Sequence, residues 1–181
     1  MNVEIREAVA EDAESLIKHI KVLTAEPNIP LTLAPDEFRY TVDEEKKLLA
    51  DSQGSDNSLF LVAYVDGRLV GELTCRANSS NRAHRHVATL GMSVAADWRG
   101  KGIGAQLMSR AVEWARQTNT IKRIELRVFA TNVGGWTAGS RLGERAIRLY
   151  TKSGFVQEGV LRKAAFRDGK FHDTVVMALL L

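Results

Sequence analysis

Near the middle of the chain, Trp98-Arg99-Gly100-Lys101-Gly102-Ile103-Gly104 sets three glycines on alternate positions, just before a strongly periodic apolar pattern. Glycines so spaced let the backbone approach a ligand closely and take conformations closed to other residues. A helix beginning there aims its unpaired N–H groups and the positive end of its dipole at the same point. Pyrophosphate is the natural occupant, with Arg99 and Lys101 adding mobile positive charge. Two phosphate-loop patterns do not match. A Walker loop needs Gly-Lys followed by Ser or Thr, and Lys101 is followed by Gly102. A dinucleotide fingerprint has its third glycine three places after the second, whereas Gly102 and Gly104 are two apart. A ligand-free Gly-rich turn is the competing explanation.

The elements that must position this loop can be read on either side of it. Residues 3–8 alternate apolar and charged as in an edge strand, and 11–24 carry Leu16, Ile17, Ile20 and Leu23 at helical spacing. A second helix is expected from about 36 to 49, then a polar loop over 51–58. Strands at 59–65 and 69–77 join through Asp66-Gly67, a hairpin signal. A strand over 86–94 contains Gly91, which invites a bulge or splay. A helix follows over 102–119, then a strand at 123–129, a helix at 144–153 and strands at 155–163 and 171–180. The order predicts a single α/β (α+β) domain over 1–181, a mixed sheet with helices on both faces.

Composition bounds the function. Of 181 residues, 45% are hydrophobic and 26% charged, an ordinary globular balance. Cys75 is the single cysteine, so neither an intrachain disulfide nor a thiolate metal cluster can form, and no metal is expected. The first residues carry acids and no apolar stretch, unlike a signal peptide, and no apolar run is long enough to span a bilayer. A cytoplasmic protein without membrane attachment is expected. The net charge of +3 is mild and the basic residues are scattered, with no aromatic-interleaved stripe, so no nucleic-acid partner is expected. Exposed edge strands leave a homodimer as an expectation from fold-level analogy.

Arg99-Gly-Lys-Gly-Ile-Gly104 resembles the coenzyme-A pyrophosphate loop of the GNAT superfamily of N-acetyltransferases, Arg/Gln-x-x-Gly-x-Gly/Ala. Downstream, Glu144-Arg-Ala-Ile-Arg-Leu-Tyr-Thr-Lys-Ser-Gly-Phe155 resembles the family's second signature, an Ala-Ile-x-Leu-Tyr helix before a Gly-Phe turn. The resemblance covers essentially the whole chain and implies a mostly antiparallel GNAT sheet with acetyl-CoA as co-substrate. A narrower similarity, through residues 123–129, Glu158-Gly159 and 168–173, points to a bacterial branch acting on free amino acids and protein N-termini.

That resemblance implies roles. Backbone N–H groups around Met92, Ser93 and Val94 would hold the acetyl carbonyl, a preorganised oxyanion site. Arg99, Gly100, Lys101, Gly102, Ile103 and Gly104 would bind pyrophosphate, and Asn132 would contact the cofactor. Tyr150 would protonate the departing thiolate. The chain departs from the pattern at 133–143, where VGGWTAGSRLG intervenes after Asn132, either as a tolerated surface insertion or as a lid or partner contact through Trp136. A proton acceptor for the amine is not assigned: Glu72, His84 and His86 are options, each more readily read as an ordinary surface or satisfied polar residue. No Ser/His/Asp or Cys/His arrangement is readable, so direct transfer within a ternary complex is expected, onto a small-molecule amine such as an amino acid. Protein N-termini or lysines, or a non-catalytic acetyl-CoA-binding module, are the alternatives.

Overall fold

The computed structural model describes residues 2–27, 29, 31, 33–77, 81–130, 141–167 and 169–181, with 141 and 142 by backbone alone. The order is β1 (Val3–Glu7), α1 (Ala13–Thr24), α2 (Val42–Ser52), β2 (Ser58–Val65), β3 (Arg68–Ala77) and β4 (Val87–Val94). It continues with α3 (Ile103–Gln117), β5 (Arg123–Phe129), α4 (Arg141–Lys152), β6 (Val156–Arg167) and β7 (Lys170–Leu180), short 3₁₀ turns intervening. The strands form one seven-stranded sheet, β1-β2-β3-β4-β5-β7-β6. Every neighbouring pair is antiparallel except β4–β5.

Helices cover both faces, as the interleaved order predicts. Ala13 and Leu16 of α1 and Leu49 of α2 pack with Phe60, Val62 and Leu69 on one face. Ile103, Leu107, Met108 and Ala111 of α3, with Tyr150 of α4, pack with Leu73, Leu90, Leu126 and Met177 on the other. β2, buried on both sides, is therefore an almost unbroken apolar run. Asp66 and Gly67 take φ of 49° and 74°, the left-handed pair of a two-residue hairpin turn.

Two boundaries differ most from expectation, while α4 starts at Arg141 rather than 144. The second helix starts at Val42 rather than near 36, because Thr41 and Glu44 cap it reciprocally: Glu44 N–H donates to Thr41 Oγ1 at 3.2 Å, and Thr41 N–H to the Glu44 carboxylate at 2.8 Å. β6 runs to Arg167, beyond the expected 163. Register shifts within it are accommodated by Lys163 at φ 53°, whose N–H donates to Asp173 Oδ1 at 2.7 Å.

The decisive feature lies at β4. Against β3 its register is continuous from Ala88 to Val94, with no bulge at Gly91. Gly91 faces Thr74, whose Oγ1 would sit 3.2 Å from an added Cβ. Against β5 the pairing stops after Val87↔Arg123, Ala88↔Ile124 and Thr89↔Glu125. β5 meanwhile stays zipped to β7 along its whole length, Arg123↔Leu180 to Phe129↔Thr174. The splay expected near Gly91 thus exists, but it begins after Thr89 and on the β5 side.

Candidate functional site

The parting of β4 and β5 opens a cavity of about 1160 Å³ reached from both faces of the sheet. On the α3/α4 face it is bounded by Gly100, Gly102, Gly104 and Ala105 and by Ala146, Leu149 and Tyr150; on the other by Leu23, Ile29 and Leu31 with Ser93, Phe129 and Thr174.

The glycine loop is built for close approach. Gly100 and Gly102 have φ of 76° and 84°, and Gly102 caps α3 from the left-handed region, leaving the first-turn N–H groups facing the cleft. Space at Gly104 is tight: an added Cβ would lie 3.3 Å from Leu149 Cδ2 and 3.5 Å from the Met92 methyl, so the Leu149 side chain would have to give. Arg99 corrects the expectation of mobile charge. Its Nε donates to Val94 O at 2.8 Å and its Nη2 pairs with Glu26 at 2.8 Å, tying the end of β4 to the segment after α1. Lys101 lies over the Trp98 ring, 4.5 Å from its centroid.

The free edge of β4 supplies further donors. Ala95 N–H donates to Val70 O at 2.8 Å, and alternation along an antiparallel ladder then turns Ser93's backbone toward β3 and the N–H groups of Met92 and Val94 toward the opening. Of the expected site residues, Met92, Ser93, Val94, Arg99, Gly100, Gly102, Gly104 and Tyr150 line the cavity. Lys101 is exposed and outside the lining, and the Ile103 side chain is buried in the core. Asn132 and Trp136 lie outside the described residues, as does most of 133–143, whose last residues belong to α4.

Burial sets the electrostatics. It pushes the Tyr150 phenol up to about 12, with Glu72's charge adding to the shift, so Tyr150 is a protonated donor at neutral pH. The thiol of Cys75 is pushed up to about 12 by burial alone and is inert inside the core. His84 and His86 are exposed and do not line the cavity. Glu72 is buried directly opposite Ser93 on the adjacent strand. Burial raises its carboxyl to about 7, the neighbouring Ser93 hydroxyl opposes that rise, and Glu45 adds to it.

One polar residue was not anticipated. His19 of α1 is 7% exposed, and its Nε2 lies 2.8 Å from Ser93 Oγ. Burial, and secondarily the charge of Arg99, lower it to about 4, so it is neutral at physiological pH. Its signal was present in the sequence: His19 falls within the apolar stripe of Leu16, Ile20 and Leu23.

A model of the acetyltransferase (GNAT) family matches residues 27–155. The chain belongs to the GNAT family. It is 35% identical over 130 residues to L-amino acid N-acetyltransferase AaaT of Escherichia coli, covering 72% of this chain and 71% of that one. It is 31% identical over 121 residues to phosphinothricin N-acetyltransferase of Alcaligenes faecalis, covering 65% of this chain and 54% of that relative. A solved GNAT-family acetyltransferase from Streptococcus pneumoniae superposes with a TM-score of 0.88 at 28% identity, over 99% of this chain and 100% of that one. The phosphinothricin acetyltransferase of Sinorhizobium meliloti, solved with acetyl-CoA, shares the fold with a TM-score of 0.80 at 21% identity, over 100% and 89%. GNAT membership makes this chain an acetyl-CoA-dependent N-acetyltransferase. Among the described residues no helix is long and apolar enough to cross a membrane.

Proposed function

We propose that this protein transfers the acetyl group of acetyl-CoA to the primary amine of a small molecule bearing a carboxylate, an amino acid among them, by direct attack in a ternary complex. One observation carries the reading. A single cavity joins the N-terminal turn of α3, the free N–H groups of β4 and the Tyr150 phenol on one face to an apolar-walled entrance at Leu23, Ile29 and Leu31 on the other. The first-turn N–H groups suit the pyrophosphate and those of Met92 and Val94 the thioester carbonyl, while Tyr150 supplies a proton to the leaving sulfur.

Charge on the lining supports a carboxylate-bearing acceptor. On the entrance side of the sheet the lining carries Glu125, held by Arg123 at 3.3 Å, and Arg127, whereas Arg145, Arg148 and Lys152 belong to α4 on the coenzyme-A side. The relatives named above act, by their names, on amino acids and phosphinothricin. An acyl-enzyme is disfavoured: Cys75 is buried outside the lining, and His19 is too weak a base to activate Ser93.

The test is thiol release from acetyl-CoA across free amino acids, polyamines, aminoglycosides and N-terminal peptides. Release with amino acids or similar carboxylates is expected. Release with peptides alone would move the acceptor to protein termini, and acetyl-CoA binding without any release would replace the enzyme with a binding module. Tyr150→Phe should lower kcat by about a hundredfold while leaving coenzyme-A affinity unchanged. An unchanged kcat removes Tyr150 from the mechanism.

A further inference from the structure

The acetyl-transfer reading, on which this inference rests, leaves one chemical requirement without a residue. An alkyl ammonium must lose a proton before its nitrogen can attack. We propose that Ser93 takes that proton and passes its own to Glu72, with His19 holding the Ser93 hydroxyl in register. Ser93 is the member of this trio that lines the cavity, on the face opposite the glycine loop. All three are buried, Ser93 and Glu72 at 8% and His19 at 7% exposed, brought together from β4, β3 and α1.

The hydrogen-bond inventory works in both states. A hydroxyl offers one donor and two acceptor sites. With Glu72 ionised, the Ser93 hydroxyl can turn its proton to the carboxylate of its cross-strand neighbour while accepting from His19 Nε2–H across 2.8 Å, leaving one lone pair for the ammonium. As an ammonium N–H proton moves to Ser93 Oγ, the original hydroxyl proton moves to Glu72. Ser93 then accepts from His19 and from the Glu72 acid, and its new proton points back to the amine. His19 stays neutral throughout, as its low proton affinity requires, and in the relay its proton stays on Nε2.

The balance of the reaction follows. The free amine attacks the thioester carbonyl, the C–N bond forms and the C–S bond breaks, and Tyr150 protonates sulfur. The ammonium has shed two protons. The first rests on Glu72 and leaves to solvent with the product; the second restores Tyr150 through cleft water. The charged and titratable groups facing this trio are Glu45 of α2, itself near Arg76 of β3, Tyr150 of α4, and Arg99 beside His19. Glu45 and burial together bring Glu72 to about 7, close to the operating pH that general-base catalysis favours.

The experiment uses the full chain with the acceptor found above. Glu72→Gln and Ser93→Ala should each lower kcat by about a hundredfold or more, with acetyl-CoA affinity unchanged. The acidic limb of the kcat–pH profile, centred near 7, should vanish in both. Glu72→Gln/Ser93→Ala should be no slower than the worse single variant, as expected of groups acting as one unit. His19→Gln, which retains an N–H donor, should keep far more activity than His19→Leu. Multiplicative losses, or an acidic limb that survives Glu72→Gln, overturn the relay. If the wild type releases no thiol with any amine, it is the acetyl-transfer reading that fails. The relay is then judged by infrared titration: a Glu72 acid carbonyl band near pH 7 that shifts in Ser93→Ala supports it, and a band indifferent to that substitution overturns it.

Discussion

The two faces of the parted sheet hold their ligand-facing groups by opposite means. On the α3/α4 face, Tyr150 apart, the groups are backbone: N–H donors exposed by Gly100, by Gly102 and by the unpaired edge of β4. On the α1/α2 face they are side chains, with His19, Glu72 and Ser93 drawn from three elements and buried together. Backbone donors carry no ionisable proton, and the Tyr150 phenol, pushed up to about 12 by burial, stays protonated, so that face binds and polarises at any ordinary pH. The side-chain face is conditional, because burial has pulled its two ionisable members to about 7 and about 4, one on each side of mild acidity.

The largest expected effect tests that conditionality through stability. Glu72 has a folded value near 7 against 4.5 for the free group, so the folded chain keeps a proton the unfolded chain has lost. Stability therefore falls as pH rises through 4.5 to 7, by on the order of 3 kcal/mol. His19 runs the other way. Between 6.5 and about 4 the unfolded chain binds a proton that the folded chain refuses, so stability is lost as pH falls through that window. The two slopes oppose each other where the windows overlap. Denaturant melts of Glu72→Gln should show a profile rising with pH up to about 6.5, and His19→Gln one falling with pH up to about 7. Glu72→Gln should also exceed the wild type in stability at pH 8. Parallel profiles for the two variants would erase the difference between the faces.

A smaller effect is expected from the backbone face. A side chain at Gly102, held at φ 84°, costs roughly 1–2 kcal/mol or more for a β-branched residue. Gly102→Val should weaken acetyl-CoA binding about tenfold or more by calorimetry while leaving the pH dependence of kcat in place. A change in that pH dependence would mean the two faces are coupled. Weaker again, Arg99→Lys should raise the acetyl-CoA dissociation constant severalfold. Charge is kept there, but the fork that binds Val94 O and Glu26 together is lost. Full rescue by lysine would restore the role of a free cation to this position.

The same contrast explains what could be read from the sequence. The backbone face was legible because glycine spacing writes positive φ and close approach directly into the chain, and Asp66-Gly67 announced its hairpin the same way. The helices and strands followed from periodicity, and the start of α2 was missed although Thr41 and Glu44 carry a capping-box signal. The side-chain face was not legible, since His19 and Ser93 lie 74 residues apart and meet only through packing. Glu72 could be named as an option but not chosen, because its burial against Ser93 is a property of strand register. The parting of β4 from β5 was suspected at Gly91, yet its onset after Thr89 depends on β5 holding to β7.

The smallest predicted effect concerns Thr174, on the same face of β7 as the cavity-lining Val176. It is 4% exposed, and its Oγ1 is buried without a hydrogen-bond partner. Leaving a hydroxyl unpaired inside a protein costs stability, and a methyl group of the same shape does not. Thr174→Val should therefore stabilise the fold by about 1 kcal/mol, read as a higher denaturant midpoint with an unchanged slope. If that gain comes with a higher KM for the acceptor and unaltered acetyl-CoA affinity, the hydroxyl serves the acceptor, and the α1/α2 face carries another polar atom held at a cost to the fold. A gain with no kinetic change confines the conditional chemistry of that face to His19, Glu72 and Ser93. No gain at all would show that Thr174 Oγ1 is paired in solution, and would remove it from the comparison.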